Sequence, residues 1–199
     1  MTNYLNPILK TQLSREELQT LPLFNHEGRY ELVETIPEAL MAVEKLTKAN
    51  NLGFDTETRP SFRKGEFHKV ALLQLATYEC CYLFRLNKIP FLPELRELLE
   101  DKNIKKVGVA IRDDLIALQK RGDFAPEGFI DLAEITRTSK SESLGLRSLC
   151  GMYLNLRLSK GAKVTNWESP VLTPAQAKYA ANDAFVSLLI FEKMFALKS

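Results

Sequence analysis

The sequence predicts an α/β domain, a mixed β-sheet with helices on its faces. Three observations carry this. Between residues 52 and 84, three short apolar runs rich in strand-forming residues follow one another, separated only by a polar loop and a tight turn. From residue 93 onward, runs of strand length alternate with stretches of helical periodicity. A long last stretch, 174–196, opens on a proline and keeps its apolar residues at helical spacing. Strands that run together first and alternate with helices later are the pattern of a mixed sheet covered by helices.

The elements are expected in this order. Residues 1–28 read as an N-terminal extension, and 29–199 as the main domain. Within the extension, Ser14 is placed to cap a short helix, with Glu17 closing a capping box. Pro22 and the turn at 25–28 separate this helix from the rest, so it is expected as an arm packed on the core. The alternative is an arm reserved for a partner or a second subunit. A strand is expected at 30–33 and a helix at 37–49, with Leu40, Val43 and Leu46 on one face. A strand follows at 52–56, then a polar loop at 59–68 containing Pro60 and Gly65. The runs 69–76 and 80–84, split by Thr77-Tyr78-Glu79, read as a hairpin. Beyond them come a helix at 93–100, a strand at 106–109, a helix from about 112 to 120, a strand at 129–132, and helices at 144–154 and 174–196.

Length and composition bound the rest. A chain of 199 residues fits one domain, and 45% hydrophobic residues supply a sizeable core. A net charge of +2 neither demands nucleic acid nor excludes it, because a basic groove can be offset by acids elsewhere. The cysteines Cys80, Cys81 and Cys150 are odd in number and lack metal-type spacing, which argues for reduced thiols and a cytoplasmic location. Cys80 and Cys81 are expected on opposite faces of a strand. Residues 1–10 lack the charged start and apolar core of a signal peptide, and no apolar stretch reaches membrane-spanning length.

The chemistry centres on Leu52-Gly53-Phe54-Asp55-Thr56-Glu57-Thr58. In a strand, residues i and i+2 share a face, so Asp55 and Glu57 stand side by side as an apolar run ends. Two such carboxylates raise each other's pKa unless a positive group lies between them, and a hard divalent cation answers that need. The pattern alone also fits a solvated acidic turn, so the other acids decide. In Val107-Gly108-Val109-Ala110-Ile111-Arg112-Asp113-Asp114, a strand ends and two acids enter the first turn of a helix. Acids are favoured there by the helix dipole, which suffices for Asp113; Asp114 is the candidate ligand. In the last helix, Tyr179 and Asp183 are four residues apart and share a face among small residues. Together these give four carboxylates and a phenol, the equipment for in-line phosphodiester hydrolysis with two divalent ions about 3.5–4 Å apart. Asp55 is the best placed to bridge both ions. Tyr179, whose ordinary pKa is about 10, orients water rather than deprotonating it.

The order Asp-x-Glu, then Val-Gly-x(5)-Asp, then Tyr-x(3)-Asp resembles the DEDD exonuclease superfamily in its tyrosine-bearing branch, nearest to its Werner-type and RNase D-like members. The runs 69–76 and 81–84 resemble that type's second and third strands, and 105–114 its second motif, which favours Asp114 over Asp113. Asn166-Trp167-Glu168 and the residues from Leu172 to Asp183 resemble its third. The likeness covers about residues 29–196. It implies a ribonuclease H-like fold and removal of nucleotides from the 3′ end of DNA or RNA, releasing nucleoside monophosphates. It implies dependence on two Mg²⁺ or Mn²⁺ ions held by Asp55, Glu57, Asp114 and Asp183, with Tyr179 positioning water and Thr56 and Glu57 meeting the terminal nucleotide.

A single strand needs basic groups along its phosphates and flat or apolar groups under its bases. Lys69, with Arg59, Arg63, Lys64 and His68, follows the first motif; Arg147, Lys160 and Lys163, with Arg157, precede the third. Thr56, Lys69, Arg147, Lys160 and Lys163 are the expected substrate contacts, although each charge alone also fits a solubilising role. Phe62 and Phe67 are stacking candidates, and Trp167 is expected to anchor its loop. The competing readings are a binding module that keeps the fold without chemistry, and a metal-dependent phosphatase of small phosphoesters.

Overall fold

A computed structural model describes residues 13–25, 28–63, 65–137, 144–159 and 165–196. Its centre is a six-stranded sheet in the order β1-β4-β3-β2-β5-β6. These strands are β1 (Arg29–Val33), β2 (Asn51–Thr58), β3 (Val70–Ala76), β4 (Cys80–Arg85), β5 (Lys105–Gly108) and β6 (Phe129–Asp131). The neighbours β2/β3 and β3/β4 are antiparallel, whereas β1/β4, β2/β5 and β5/β6 are parallel. The expected hairpin at 77–79 is present, and the sheet is mixed as the run of early strands implies.

Helices cover both faces. On one lie α2 (Ile36–Leu46), α3 (Pro93–Glu100) and α4 (Arg112–Gln119); across the other runs α7 (Pro174–Ala196). The two apolar clusters divide along the sheet. Cys80 falls in the cluster under α2 and α3 and Cys81 in the cluster under α7, opposite faces as the period of two requires. Every residue of β3 and β4 is buried, as central strands covered on both sides must be. No helix among the described residues is long and apolar enough to cross a membrane.

Most element ends fall within one residue of the sequence expectation, and three elements differ by more. Helix α2 ends at Leu46 rather than 49, and starts one residue early because Thr35 and Glu38 form a capping box. Strand β2 runs on to Thr58, so Glu57 as well as Asp55 lies within the ladder. The stretch 144–154 is not one α-helix. It comprises α6 (Leu146–Leu149), followed by a π-helical segment (Cys150–Leu154) that Asn155 closes in the left-handed conformation. A short α5 (Leu132–Ile135), which periodicity does not reveal, follows β6.

The N-terminal arm is packed, not free. Its helix α1 (Arg15–Thr20) carries the capping box of Ser14 and Glu17. A Cβ on Gly151 in the π-helical segment would overlap Leu18 and lie 3.1 Å from Leu13 and 3.3 Å from Leu21. Glycine there is what lets the arm's leucines seat. Beyond α1, Arg157 N–H donates to the Pro22 carbonyl at 2.9 Å, and Phe24 N–H to the Arg157 carbonyl at 2.8 Å. Phe24 is buried in the α7-side core.

Candidate active site

Strand β2 aims Asp55 and Glu57 at α7. Gly53 lies on the same face two residues earlier, and a Cβ there would overlap the Ala184 carbonyl oxygen and lie 2.8 Å from its carbon. The glycine therefore sets how closely α7 approaches β2, and Asp183, next to Ala184, is carried to the acids by that approach. Carboxylate oxygens of Asp55, Glu57 and Asp183 lie within 4.8 Å of one another. Asp114 comes in from the first turn of α4, where its Oδ1 accepts the Thr56 hydroxyl at 2.5 Å. All four acids, with Thr56 and Tyr179, line one cavity of about 470 Å³.

This grouping is electrostatically expensive as it stands. Burial, and then Asp183, Glu57 and Asp114, hold the Asp55 carboxyl well above the ordinary carboxylate range. The Thr56 N–H, donating to Asp55 Oδ1 at 2.9 Å, only partly opposes this. Burial also raises Asp114, against the lowering effect of the Thr56 hydroxyl. No Lys or Arg among the described residues forms an ion pair with Asp55 or Asp114. An all-oxygen donor set with excess negative charge suits a hard divalent cation, so the residues fit such an ion. Tyr179, one turn before Asp183, has its phenol pushed upward by burial, then by Asp183 and Glu57. It keeps its proton at every working pH and serves as a donor.

One residue that shapes the site escapes sequence reasoning. Asp131, at the end of β6, accepts the backbone N–H groups of Ala110 at 2.8 Å, Ile111 at 3.1 Å and Ala133 at 2.9 Å. Ala110 has φ of +59°, a left-handed conformation that costs an L-residue about 1–2 kcal/mol. The Asp131 carboxylate holds that turn, and the turn delivers α4 with Asp114 on it. Only the register of β6 beside β5 places Asp131 there, which is why local sequence carries no sign of it. Gln74 is another such residue. It stands directly opposite Asp55 on β3, fully buried, and neither amide atom has a hydrogen-bond partner among the described residues.

The expected substrate contacts are distributed unevenly. Thr56 and Arg147 line the cavity, although the Thr56 hydroxyl is turned to Asp114. Lys69 is exposed and lies outside the cavity lining. Lys160, Lys163 and Lys64 fall outside the described residues. Arg59 pairs with Glu168 at 3.4 Å, and His68 sits between Glu66 at 3.1 Å and Glu168 at 3.7 Å. These contacts tie the loop after β2 to the loop before α7. Phe62 and Phe67 are more than four-fifths exposed. Trp167 is fully buried, its ring centroid 6.3 Å from that of Tyr179, so it anchors the loop. Asp113 points to solvent while Asp114 reaches the cavity. Accordingly, Asp113→Ala is expected to keep turnover within a few-fold of wild type, and Asp114→Ala to lower kcat by about 10²-fold or more. Steady-state rates of the two variants check this, and the reverse order contradicts the placement.

A mixed sheet between helices, with acids converging from one strand and two helices, defines the ribonuclease H-like exonuclease class of domain. The chain belongs to the 3′–5′ exonuclease family, whose model matches residues 30–196. It is 34% identical over 156 residues to the bifunctional 3′–5′ exonuclease/ATP-dependent helicase WRN of Mus musculus, a match covering 75% of this chain and 11% of that protein. It is 37% identical over 147 residues to exonuclease 3′–5′ domain-containing protein 2 of Drosophila melanogaster, covering 72% of this chain and 25% of that one. The chain thus spans a quarter or less of the length of these two relatives. Among solved structures, the Nibbler EXO domain of Aedes aegypti superposes with a TM-score of 0.75 at 22% identity, covering 88% of this chain and 91% of that one.

Proposed function

We propose that this protein hydrolyses nucleic-acid phosphodiesters from the 3′ end, one nucleotide at a time, and releases nucleoside 5′-monophosphates. The observation that carries the reading is the convergence of Asp55, Glu57 and Asp183 within 4.8 Å, with Asp114 on the same cavity and, among the described residues, no cation paired to Asp55 or Asp114. Family membership and similarity to enzymes named as exonucleases support it. Asp55, Glu57, Asp114 and Asp183 would hold two Mg²⁺ or Mn²⁺ ions. When bound, such ions supply hydroxide from water near neutral pH and stabilise the leaving oxygen.

The chain's own residues do the remaining work. The Tyr179 phenol, protonated and placed beside Trp167, orients the attacking water by hydrogen bonding. Asp114, steadied by Thr56 and by the Asp131 turn, is held on the cavity that would receive the scissile phosphate. The partner is a single strand or a 3′ terminus of DNA or RNA, with Arg147 at the cavity edge to meet a phosphate.

Removing the phenol oxygen should leave binding nearly intact and slow the chemistry. Tyr179→Phe is expected to lower kcat by about 10²-fold with KM within about three-fold of wild type. An equal fall in affinity would make Tyr179 a binding group instead. Chromatography of the products tests the reaction class. Nucleoside 5′-monophosphates from an oligonucleotide support exonuclease action. Phosphate release from mononucleotides, with oligomers left intact, would replace it with a small-phosphoester phosphatase.

A further inference from the structure

A second groove, of about 810 Å³, adjoins the carboxylate cavity. Arg147, Ser148 and Leu158 line both, so the two are continuous. One wall comes from the body of the domain, with Arg147 and Arg157. The other is the N-terminal arm, with Arg15, Leu18 and Leu23. We propose that this groove binds the single-stranded nucleic acid lying 5′ of the terminal nucleotide, and that the arm is therefore part of the substrate site. The inference rests on the exonuclease reading above and extends it to residues outside the carboxylate cavity.

The chemistry of the walls supports that occupant. Among the described residues, three arginines and no acid line the groove. None of the three forms an ion pair with a carboxylate among the described residues. Leu18, Leu23 and Leu158 line the same groove, with Leu23 about half exposed. Cations that track phosphates, set beside apolar surface that bases cover, are what a sequence-tolerant single-strand site requires. Arginine suits the role because its planar guanidinium grips phosphate in a fork and also stacks on bases.

The groove is built rather than accidental. The arm is held by the Gly151 seat and by the backbone hydrogen bonds on either side of Arg157. Arg157 Nε donates to the Leu21 carbonyl at 2.8 Å, and an Arg147 guanidinium nitrogen donates to the Ser159 carbonyl at 3.1 Å. Both heads are thereby fixed at the groove. Arg15 sits exposed in the first turn of α1. A cation is unfavourable at that end of a helix, so local helix stability does not account for it.

The test uses the full chain and Arg15→Ala, a change at an exposed position. Hydrolysis is followed on a single-stranded oligomer of about 12 nucleotides and on the p-nitrophenyl ester of thymidine 5′-monophosphate, which reaches only the carboxylate cavity. The expected result is a KM for the oligomer raised about five-fold, with kcat and ester hydrolysis unchanged. Fluorescence anisotropy of the labelled oligomer without divalent ions should show the same loss. The slope of log affinity against log salt should fall by about 0.7, the value for one phosphate contact on a single strand. Unchanged oligomer affinity and salt slope would overturn the inference and leave the groove to a protein segment. So would an equal effect on oligomer and ester. If the wild type cleaves neither substrate, the exonuclease reading fails, while anisotropy still decides whether the groove binds a strand.

Discussion

Asp55→Asn is expected to lower kcat by about 10³-fold or more, and at the same time to make the metal-free protein more stable at neutral pH. Both effects come from one cause. Asp55 is packed among Asp183, Glu57 and Asp114, and burial makes each charge more costly than it would be in water. Its folded pKa, and that of Asp114, are raised above the unfolded value. The folded protein therefore binds protons more tightly than the unfolded chain does. The contribution of these two groups to stability falls as pH rises above about 4, where an unfolded carboxyl releases its proton, and the loss is complete above their folded pKa. Asparagine carries no charge to repel and so escapes part of that loss. It is also a far poorer ligand than a carboxylate for the proposed divalent ions. Thermal unfolding in chelator should show a higher Tm for Asp55→Asn than for wild type at pH 8, with the gap closing toward pH 4. Added Mg²⁺ or Mn²⁺ should raise the wild-type Tm and move the variant less. A variant that is less stable in chelator at pH 8, or that turns over near the wild-type rate, contradicts the assignment.

Gly53→Ala is the second large effect, and it acts from outside the cavity. One methyl at this position overlaps the Ala184 carbonyl oxygen, and backbone cannot swing aside as a flexible side chain does. Helix α7 must shift away from β2, along a contact that unites much of the α7-side core. Overpacking of this kind costs about 3 kcal/mol. Because Asp183 adjoins Ala184, the shift also draws one carboxylate away from the other two, and a misplacement of about 1 Å lowers rate about 10²-fold. Denaturant unfolding and turnover measured on the same preparation should both fall. Wild-type stability in Gly53→Ala would show that α7 is not held at its position by this contact.

The features legible in the sequence are those that obey a local period. The pairing of Asp55 with Glu57 follows from the alternation of a strand, and that of Tyr179 with Asp183 from the turn of a helix. Asp114 over Asp113 follows from motif likeness, and the structure turns Asp114 to the cavity and Asp113 to solvent. The features that were not legible depend on residues far apart in the chain. Asp131 meets the Ala110 turn only because β6 lies beside β5. Arg59 and His68, which read as strand contacts, are held by Glu168 from a loop about 100 residues away. The π-helical segment arises where α1 presses on Gly151, and no pattern within 144–154 announces it. Gly53 looks like a gap in an apolar run until α7 is seen against it.

The most direct measurement is a time course of digestion of a 5′-labelled single-stranded oligomer with Mg²⁺ or Mn²⁺, with Asp55→Ala in parallel. A ladder that shortens step by step from the 3′ end, absent in the variant and in chelator, is the predicted result. Internal cuts, loss of the 5′ label as the first product, or a ladder that persists in Asp55→Ala would contradict it.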